Sequence, residues 1–200
     1  MKTFVNLLSI FRIVASFALV PTLMLRLYWL SFVLFALAGF SDYFDGWLAR
    51  KYNAVSKLGG VLDQIGDKFL AVFSLILLAI MMPVWFVIVP VIVMVGRELY
   101  VSGLREFLGT QKIEMPVPKN RFAVAKVKTT FQLVSIGAFF LVFALGASIT
   151  PETTNRAVFY GIYALPFIGM WGLWLSLVAS VWSATEYTTD FAKKMKSLKK

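Results

Sequence analysis

The sequence predicts an all-helical integral membrane protein with six transmembrane helices and both termini on the cytoplasmic side. The first observation is composition: only 15% of the residues are charged and the mean hydropathy is +0.80, whereas about a quarter of the residues are charged in a soluble protein. The second is six apolar stretches of the length that crosses a bilayer. The third is a strong asymmetry of positive charge between the connections.

The six predicted spans are separated by short segments rich in proline, glycine or charged residues. A span needs about 20 apolar residues, because the hydrocarbon core is about 30 Å thick and a helix rises about 1.5 Å per residue. The stretches that meet this requirement are residues 5–26, 28–49, 60–82, 84–108, 122–147 and 156–185. Since no internal repeat divides them, residues 1–200 are predicted to form one membrane domain.

The distribution of Lys and Arg predicts the orientation. With six spans, 18 of the 20 basic residues fall on the side of the two termini, and only Arg26 and Arg156 remain for the other side. Positive residues concentrate on the cytoplasmic side, so we expect insertion in the cytoplasmic (inner) membrane with these connections inside. This topology explains the formal net charge of +10, and no nucleic-acid partner is expected.

The chain contains no cysteine and no histidine. A thiolate nucleophile, a Cys-based zinc site and a histidine general base are therefore excluded. Any metal binding or proton transfer must fall to carboxylates.

Four of the five aspartates lie within one short stretch, as Asp42, Asp45, Asp63 and Asp67. Spacings of three and four residues place each pair on one helix face, and the connection at 51–58 can bring the two faces together. Carboxylates this close require cations to stay ionised near a membrane. An all-oxygen site of four carboxylates favours two Mg²⁺ or Mn²⁺ ions and a phosphate-bearing substrate.

Small and basic residues accompany the aspartates. Gly46, Gly59 and Gly60 leave room for a ligand or a facing helix, and Arg50 can donate to phosphate oxygens. The alternatives are ordinary helix packing for the glycines and an arginine that extends to the membrane surface.

The full pattern is Asp42-x2-Asp45-Gly46-x2-Ala49-Arg50-x8-Gly59-x3-Asp63-x3-Asp67. It matches, position for position, the signature of the CDP-alcohol phosphatidyltransferase family, which the chain also resembles in length and in its six spans. The resemblance implies a membrane enzyme, usually a homodimer, that transfers a phosphatidyl group from a CDP-linked lipid to an alcohol and releases CMP.

The resemblance also implies residue roles. The four aspartates would hold the two metal ions, with Asp67 as the general base. The CDP-lipid would be bound by Asp42, Gly46, Ala49, Arg50, Gly59 and Asp63.

Flanking segments most resemble family members that use CDP-diacylglycerol and glycerol 3-phosphate. These segments are NLLSIFRI at 6–13, GRELYVSGLREFLG at 96–109 and AKVKTTFQ at 125–132. One departure is DQIGDK at 63–68, in which Gln64 and Gly66 replace the usual Pro and Ala.

An acceptor that carries phosphate needs basic residues of its own. The candidates, all near the cytoplasmic ends of the fourth and fifth spans, are Arg97, Arg105, Lys126 and Lys128. Arg97 and Arg105 are eight residues apart, about two turns, and share a helix face. Ionisable residues within spans are functional by default. The alternative is pairing with Glu98 and Glu106, or extension of the side chain to the membrane surface. Arg12 in the first span is open to the same two interpretations.

Other functions stay in view at this point. A sibling transferase would use inositol phosphate, serine or another alcohol as acceptor. A divalent-cation transporter would use the carboxylates to bind ions in transit. Membrane prenyltransferases also have aspartate-rich sites, but their usual spacing and greater length do not match this chain.

Overall fold

In the computed structural model every secondary-structure element among the described residues is an α-helix. The structure describes the backbone of residues 2–51, 57–110, 119–148 and 156–198, and side chains at 6–41, 44, 59–110, 127–148 and 160–196. Its helices are α1 (Lys2–Met24), α2 (Tyr28–Lys51), α3 (Lys57–Met81), α4 (Trp85–Thr110), α5 (Lys119–Ala147) and α6 (Arg156–Leu198). The predicted all-helical class is confirmed, with one helix for each of the six predicted spans.

The helix ends occur where local chemistry requires them. Between α1 and α2, Arg26 adopts a left-handed backbone conformation with φ of 59°, and the amide of Leu27 donates to the carbonyl of Thr22 at 2.8 Å. This hydrogen bond satisfies a carbonyl at the end of α1 that has no helical partner. Between α3 and α4, Pro83 has no amide hydrogen and interrupts the helical pattern.

Five of the six helices are long and apolar enough to cross a membrane. The qualifying segments are Asn6–Met24, Gly59–Met81, Trp85–Thr110, Val127–Ala147 and Tyr160–Lys196. In α2, the segment Tyr28–Ser41 is apolar, and the side chains that follow it, apart from Phe44, lie outside the described residues. The sixth span and the cytoplasmic location of the termini stay predictions.

The helices pack as a ring. In order around it, α1 contacts α2, α2 contacts α5, α5 contacts α6, α6 contacts α4, α4 contacts α3, and α3 returns to α1. Helix α3 also contacts α5 and α2 across the ring. Helix α3, which carries Asp63 and Asp67, therefore contacts α1, α2, α4 and α5.

Apolar side chains are distributed as expected for a protein surrounded by lipid. The interior is filled by fully buried side chains such as Leu75, Leu78 and Phe139, while Phe167 and Trp171 are exposed. Lipid is as apolar as these outer side chains, so association of the helices depends on close packing and on interhelical polar contacts.

The α5–α6 interface shows this close packing most clearly. A Cβ atom added at Gly169 would lie 2.8 Å from Cε2 of Phe139, and the Phe139 side chain is fully buried. Small residues of this kind allow two helix backbones to approach each other. The position therefore excludes even one methyl group unless the aromatic ring moves.

We predict that Gly169→Ala destabilises the protein by about 1–3 kcal/mol, because overpacking a filled core costs that much. Thermal unfolding in detergent, followed by size-exclusion chromatography, measures the change. Gly103→Ala is the matched control, since nothing lies within 4 Å of a Cβ added there and alanine is the better helix former. Equal stability of the two variants would contradict this account of the interface.

Candidate active site

Asp63 and Asp67 meet a buried arginine from the first helix. Nη1 of Arg12 donates to Oδ1 of Asp63 at 3.1 Å and also to Oδ1 of Asp67. The Arg12 side chain is 0% exposed, whereas those of Asp63 and Asp67 are 42% and 49% exposed. The two aspartates therefore lie on the same face of α3, as their four-residue spacing predicts, and that face is partly open.

The close approach of α1 and α3 depends on Gly66. A Cβ added at this position would lie 3.3 Å from the backbone oxygen of Ser9 and 3.4 Å from Cδ of Arg12. Contacts this short are tolerated only if the neighbouring atoms shift. The glycine that departs from the usual family pattern thus gives the Arg12 side chain room to run beside α3.

The second pair of motif aspartates lies on α2, whose helix extends to Lys51. The side chains of Asp42, Asp45, Gly46, Ala49 and Arg50 lie outside the described residues, as does that of Lys126. Gly59 is described and is buried in the first turn of α3. The predicted site of four carboxylates, two from α2 and two from α3, consequently stays a prediction.

The chemistry of Asp63 and Asp67 fits a hard divalent cation. Both supply carboxylate oxygens, both are partly exposed, and Mg²⁺ and Mn²⁺ prefer oxygen ligands of this type. Among the described side chains, no three acidic, His or Cys residues form a metal-binding group. The predicted metal site therefore requires two further carboxylate ligands, and Asp42 and Asp45 of α2 are the residues predicted to supply them.

A second charged cluster joins α4 and α5. Oε1 of Glu98 accepts from Nη1 of Arg97 at 2.9 Å and from Nζ of Lys128. The side chains of Arg97, Lys128 and Glu98 are 10%, 7% and 19% exposed. Pairing with Glu98, one of the two interpretations of Arg97, is thus observed, and it leaves a net positive charge because one carboxylate serves two cations.

Helix α6 orients the two arginines of α4 through Tyr187. The guanidinium carbons of Arg97 and Arg105 lie 5.9 and 4.9 Å from the centre of the Tyr187 ring, within the range of a cation–π interaction. Nη2 of Arg105 also donates to the Tyr187 hydroxyl, and Nη2 of Arg97 donates to Oγ of Ser183 at 2.7 Å. The shared face predicted for the two arginines is therefore the face toward α6.

One cavity of about 300 Å³ is lined both by Asp67 of the motif and by Arg97, Arg105 and Lys128, which we call the basic cluster. Its volume is at the lower end of the about 300–1,000 Å³ typical of small-molecule sites. The lining residues come from four helices and are Gln64, Asp67, Lys68, Arg97, Glu98, Val101, Ser102, Arg105, Lys128, Thr129 and Tyr187. Four are cations and two are carboxylates, so the cavity favours a small anion beside Asp67.

Sequence reasoning did not find every residue of this cavity. Tyr187 and Ser183 lie more than 80 positions from the arginines they contact, and no local pattern connects them. Lys68 follows Asp67 directly and donates to Oγ of Ser102 at 2.7 Å. Its position next to a motif aspartate is the one feature of the sequence that could have indicated that Lys68 lies in the cavity.

Comparison with known proteins gives a consistent result. The family described as CDP-alcohol phosphatidyltransferase matches residues 2–182. The chain is similar to proteins named CDP-diacylglycerol–glycerol-3-phosphate 3-phosphatidyltransferase in several bacteria. The Cereibacter sphaeroides protein is 44% identical over 115 residues, 56% of this chain and 50% of the relative. The Rickettsia bellii protein is 38% identical over 143 residues, 68% of this chain and 74% of the relative. The Salmonella choleraesuis protein is 33% identical over 134 residues, 66% and 72% of the two chains. The matched segment thus spans half of the first relative and about three quarters of the other two.

We predict that Glu98→Gln destabilises the protein, because it leaves two largely buried cations without their shared carboxylate. Breaking a buried pair by removing one partner costs about 3–5 kcal/mol, and the open cavity places this change toward the lower value. Thermal unfolding tests it, with Glu106→Gln on the exposed side of α4 as the control. Adding Lys128→Met to Glu98→Gln should recover part of the loss; failure to do so would argue against the charge explanation.

Proposed function

Because the chain belongs to the CDP-alcohol phosphatidyltransferase family, we propose that it transfers the phosphatidyl group of CDP-diacylglycerol to the 1-hydroxyl of glycerol 3-phosphate. The products are phosphatidylglycerophosphate and CMP. The relatives that carry this activity in their names cover different shares of the chain and agree on one acceptor. The reaction places the enzyme in phospholipid biosynthesis.

The observation that carries this proposal is the cavity shared by Asp67 and the basic cluster. Transfer requires the acceptor hydroxyl to lie next to the motif aspartates while the acceptor phosphate is bound nearby. Asp67 lines the same cavity as Arg97, Arg105 and Lys128. Glycerol 3-phosphate has a hydroxyl and a phosphate on one short chain, so a small cavity accommodates both groups.

The basic residues suit a phosphate in particular. Arginine presents a planar set of five N–H donors that matches phosphate oxygens, and such charge-assisted hydrogen bonds are stronger than neutral ones. Tyr187 holds both guanidinium groups in place before the acceptor arrives. The preorganised pair reduces the entropy lost when the acceptor binds. Lys126 is proposed as a further cation for this phosphate.

The predicted metal ligands are the four motif aspartates. Asp63 and Asp67 from α3, together with Asp42 and Asp45 from α2, would hold two Mg²⁺ or Mn²⁺ ions. When bound, such ions polarise phosphoryl oxygens and neutralise charge on the leaving group. Gly46, Ala49, Arg50 and Gly59, with Asp42 and Asp63, would bind the CDP part of the donor.

Asp67 is the proposed general base. Its carboxylate takes the proton of the 1-hydroxyl, and that oxygen attacks the phosphorus attached to diacylglycerol. A new P–O bond forms, the P–O bond to CMP breaks, and CMP leaves with the bridging oxygen and its electron pair. The chain has no histidine, so a carboxylate in this role agrees with its composition.

The diacylglycerol part of the donor requires an apolar surface beside α2. A groove of about 390 Å³ lies between α2 and α5. On α2 the groove is lined by Phe32, Phe35, Ala36, Gly39 and Phe40. The last of these residues precedes Asp42 by only two positions in the sequence. We assign this groove to one acyl chain of CDP-diacylglycerol, since the headgroup would then reach the motif directly.

The proposed membrane arrangement is six spans with both termini cytoplasmic. The 18-to-2 distribution of basic residues supports it, and so does the location of the basic cavity next to the motif. CMP release and uptake of a charged acceptor would then occur at the cytoplasmic face of the inner membrane. Assembly as a homodimer is proposed from the family resemblance.

The direct test is turnover by the purified chain. With CDP-diacylglycerol, glycerol 3-phosphate and Mg²⁺ or Mn²⁺, we expect equal amounts of CMP and phosphatidylglycerophosphate, measured by chromatography. Asp67→Asn, which keeps the shape of the side chain, is expected to abolish turnover if Asp67 is the base; near-normal turnover would refute that role.

Preference for inositol phosphate or serine in an acceptor panel would instead identify a sibling transferase. Metal flux through liposomes without CMP release would support a transporter.

The acceptor site has its own prediction. Arg105→Gln removes a cation over the Tyr187 ring, and loss of a hydrogen bond to a charged group costs about 1.5–3 kcal/mol, or roughly 10–100-fold. We expect the KM for glycerol 3-phosphate to rise by this factor while the KM for CDP-diacylglycerol stays the same. Arg26→Gln, an exposed arginine in the α1–α2 turn, is the control. An unchanged acceptor KM would remove Arg105 from the site.

A further inference from the structure

We propose that Arg12 is a positioning residue that holds Asp63 and Asp67 in their active arrangement and supplies their counter-charge before any metal ion binds. The aspartate motif begins at Asp42 and does not include this arginine, which lies in the flanking segment NLLSIFRI at 6–13. The inference rests on the proposed function, because it concerns the same aspartates, but it extends the site to α1.

The geometry is specific. A single nitrogen, Nη1, donates to the Oδ1 atoms of both carboxylates, at 3.1 Å for Asp63. These residues are separated from Arg12 by 51 and 55 positions in the chain. The two aspartates are one turn apart on α3, so one donor group between them fixes both side-chain orientations.

Burial makes the contact necessary. Arg12 is the largest fully buried side chain that the structure describes. A guanidinium inside a membrane bundle is costly unless it is paired, and removal of the partners of a buried charge is strongly destabilising. The partly exposed aspartates therefore gain a fixed neighbour, and Arg12 gains the negative charge that its burial requires.

The local packing is arranged around this side chain. Gly66 lies between the two aspartates in the sequence, and a Cβ there would be 3.4 Å from Cδ of Arg12. On α1, Oγ of Ser16 donates to the backbone oxygen of Arg12 at 2.7 Å. The Arg12 side chain passes close to α3 at Gly66, so a larger residue at position 66 would crowd it.

Prior ordering has a consequence for metal binding. Residues that orient metal ligands from outside the coordination sphere typically contribute 10–100-fold to metal affinity. Removing Arg12 releases the two carboxylates to other rotamers, and the ions must then order them at an entropic cost. We therefore expect the Mg²⁺ concentration that the protein requires to rise when Arg12 is removed, although Arg12 itself is positively charged.

The first experiment is a double-mutant cycle for stability in EDTA, which needs neither metal nor turnover. Arg12→Gln is expected to lower the apparent Tm of the full chain in detergent. In an Asp63→Asn/Asp67→Asn background the same substitution should lower it by roughly half as much or less, because contacting residues are coupled. Equal losses in both backgrounds would overturn the counter-charge role.

The second experiment separates positioning from simple stability. For Arg12→Gln, the Mg²⁺ concentration that gives half-maximal thermal stabilisation or turnover should rise roughly 10–100-fold, with little change in the KM for glycerol 3-phosphate. Arg12→Lys should recover part of the effect, since it keeps the charge but lacks the planar donor set. Thr22→Val on the same helix, which removes the hydrogen bond from Ser31, is the control and should leave the Mg²⁺ requirement unchanged.

The outcomes distinguish the two proposals. An unchanged or lower Mg²⁺ requirement in Arg12→Gln would reject the positioning role, even if the wild-type chain forms phosphatidylglycerophosphate. Conversely, a wild-type chain that releases no CMP would reject the proposed function, while the stability cycle would still decide whether Arg12 and the aspartates are coupled.

Discussion

The constraint on which the rest of the structure depends is the pairing of charge inside an apolar bundle. Arg12, Arg97 and Lys128 are almost completely buried, and each is paired with a carboxylate from another helix or from its own. A buried charge without such a partner would be too costly to retain. The ring of helices therefore has to bring α1 against α3 and to hold Lys128 of α5 within reach of Glu98 on α4. Asp67, Arg97, Glu98 and Lys128 then line one cavity.

The sequence predicted the all-helical class, the helix positions and the pairing on shared faces of Asp63 with Asp67 and of Arg97 with Arg105, because these features depend on local spacing and composition. Helical periodicity alone places Asp63 with Asp67 and Arg97 with Arg105. The role of Tyr187 could not be predicted in the same way. Its contacts with the arginines depend on how α6 packs against α4, and this packing is a property of the assembled bundle.

The sequence left two interpretations open for each of the basic residues Arg97 and Arg12, and in both cases the structure contains an ion pair. For Arg97, the alternatives were a functional role or pairing with Glu98, and the structure contains the pair within a cavity that also reaches Asp67. For Arg12, the ion pair is with the motif itself. A structural pairing and a functional site are therefore compatible here, since Arg97, Glu98 and Asp67 line the space in which chemistry is proposed.

The origin of Tyr187 on α6 has a consequence for how this scaffold can diversify. In the proposed function, the motif on α2 and α3 binds the donor, whereas Ser183 and Tyr187 of α6 orient the arginines that bind the acceptor. Substitutions along α6 would then reshape the acceptor pocket while the donor site stays intact. Acceptor choice would be modular in such an architecture, and exchange of α4 and α6 side chains would offer a route to engineered transferases with new headgroups.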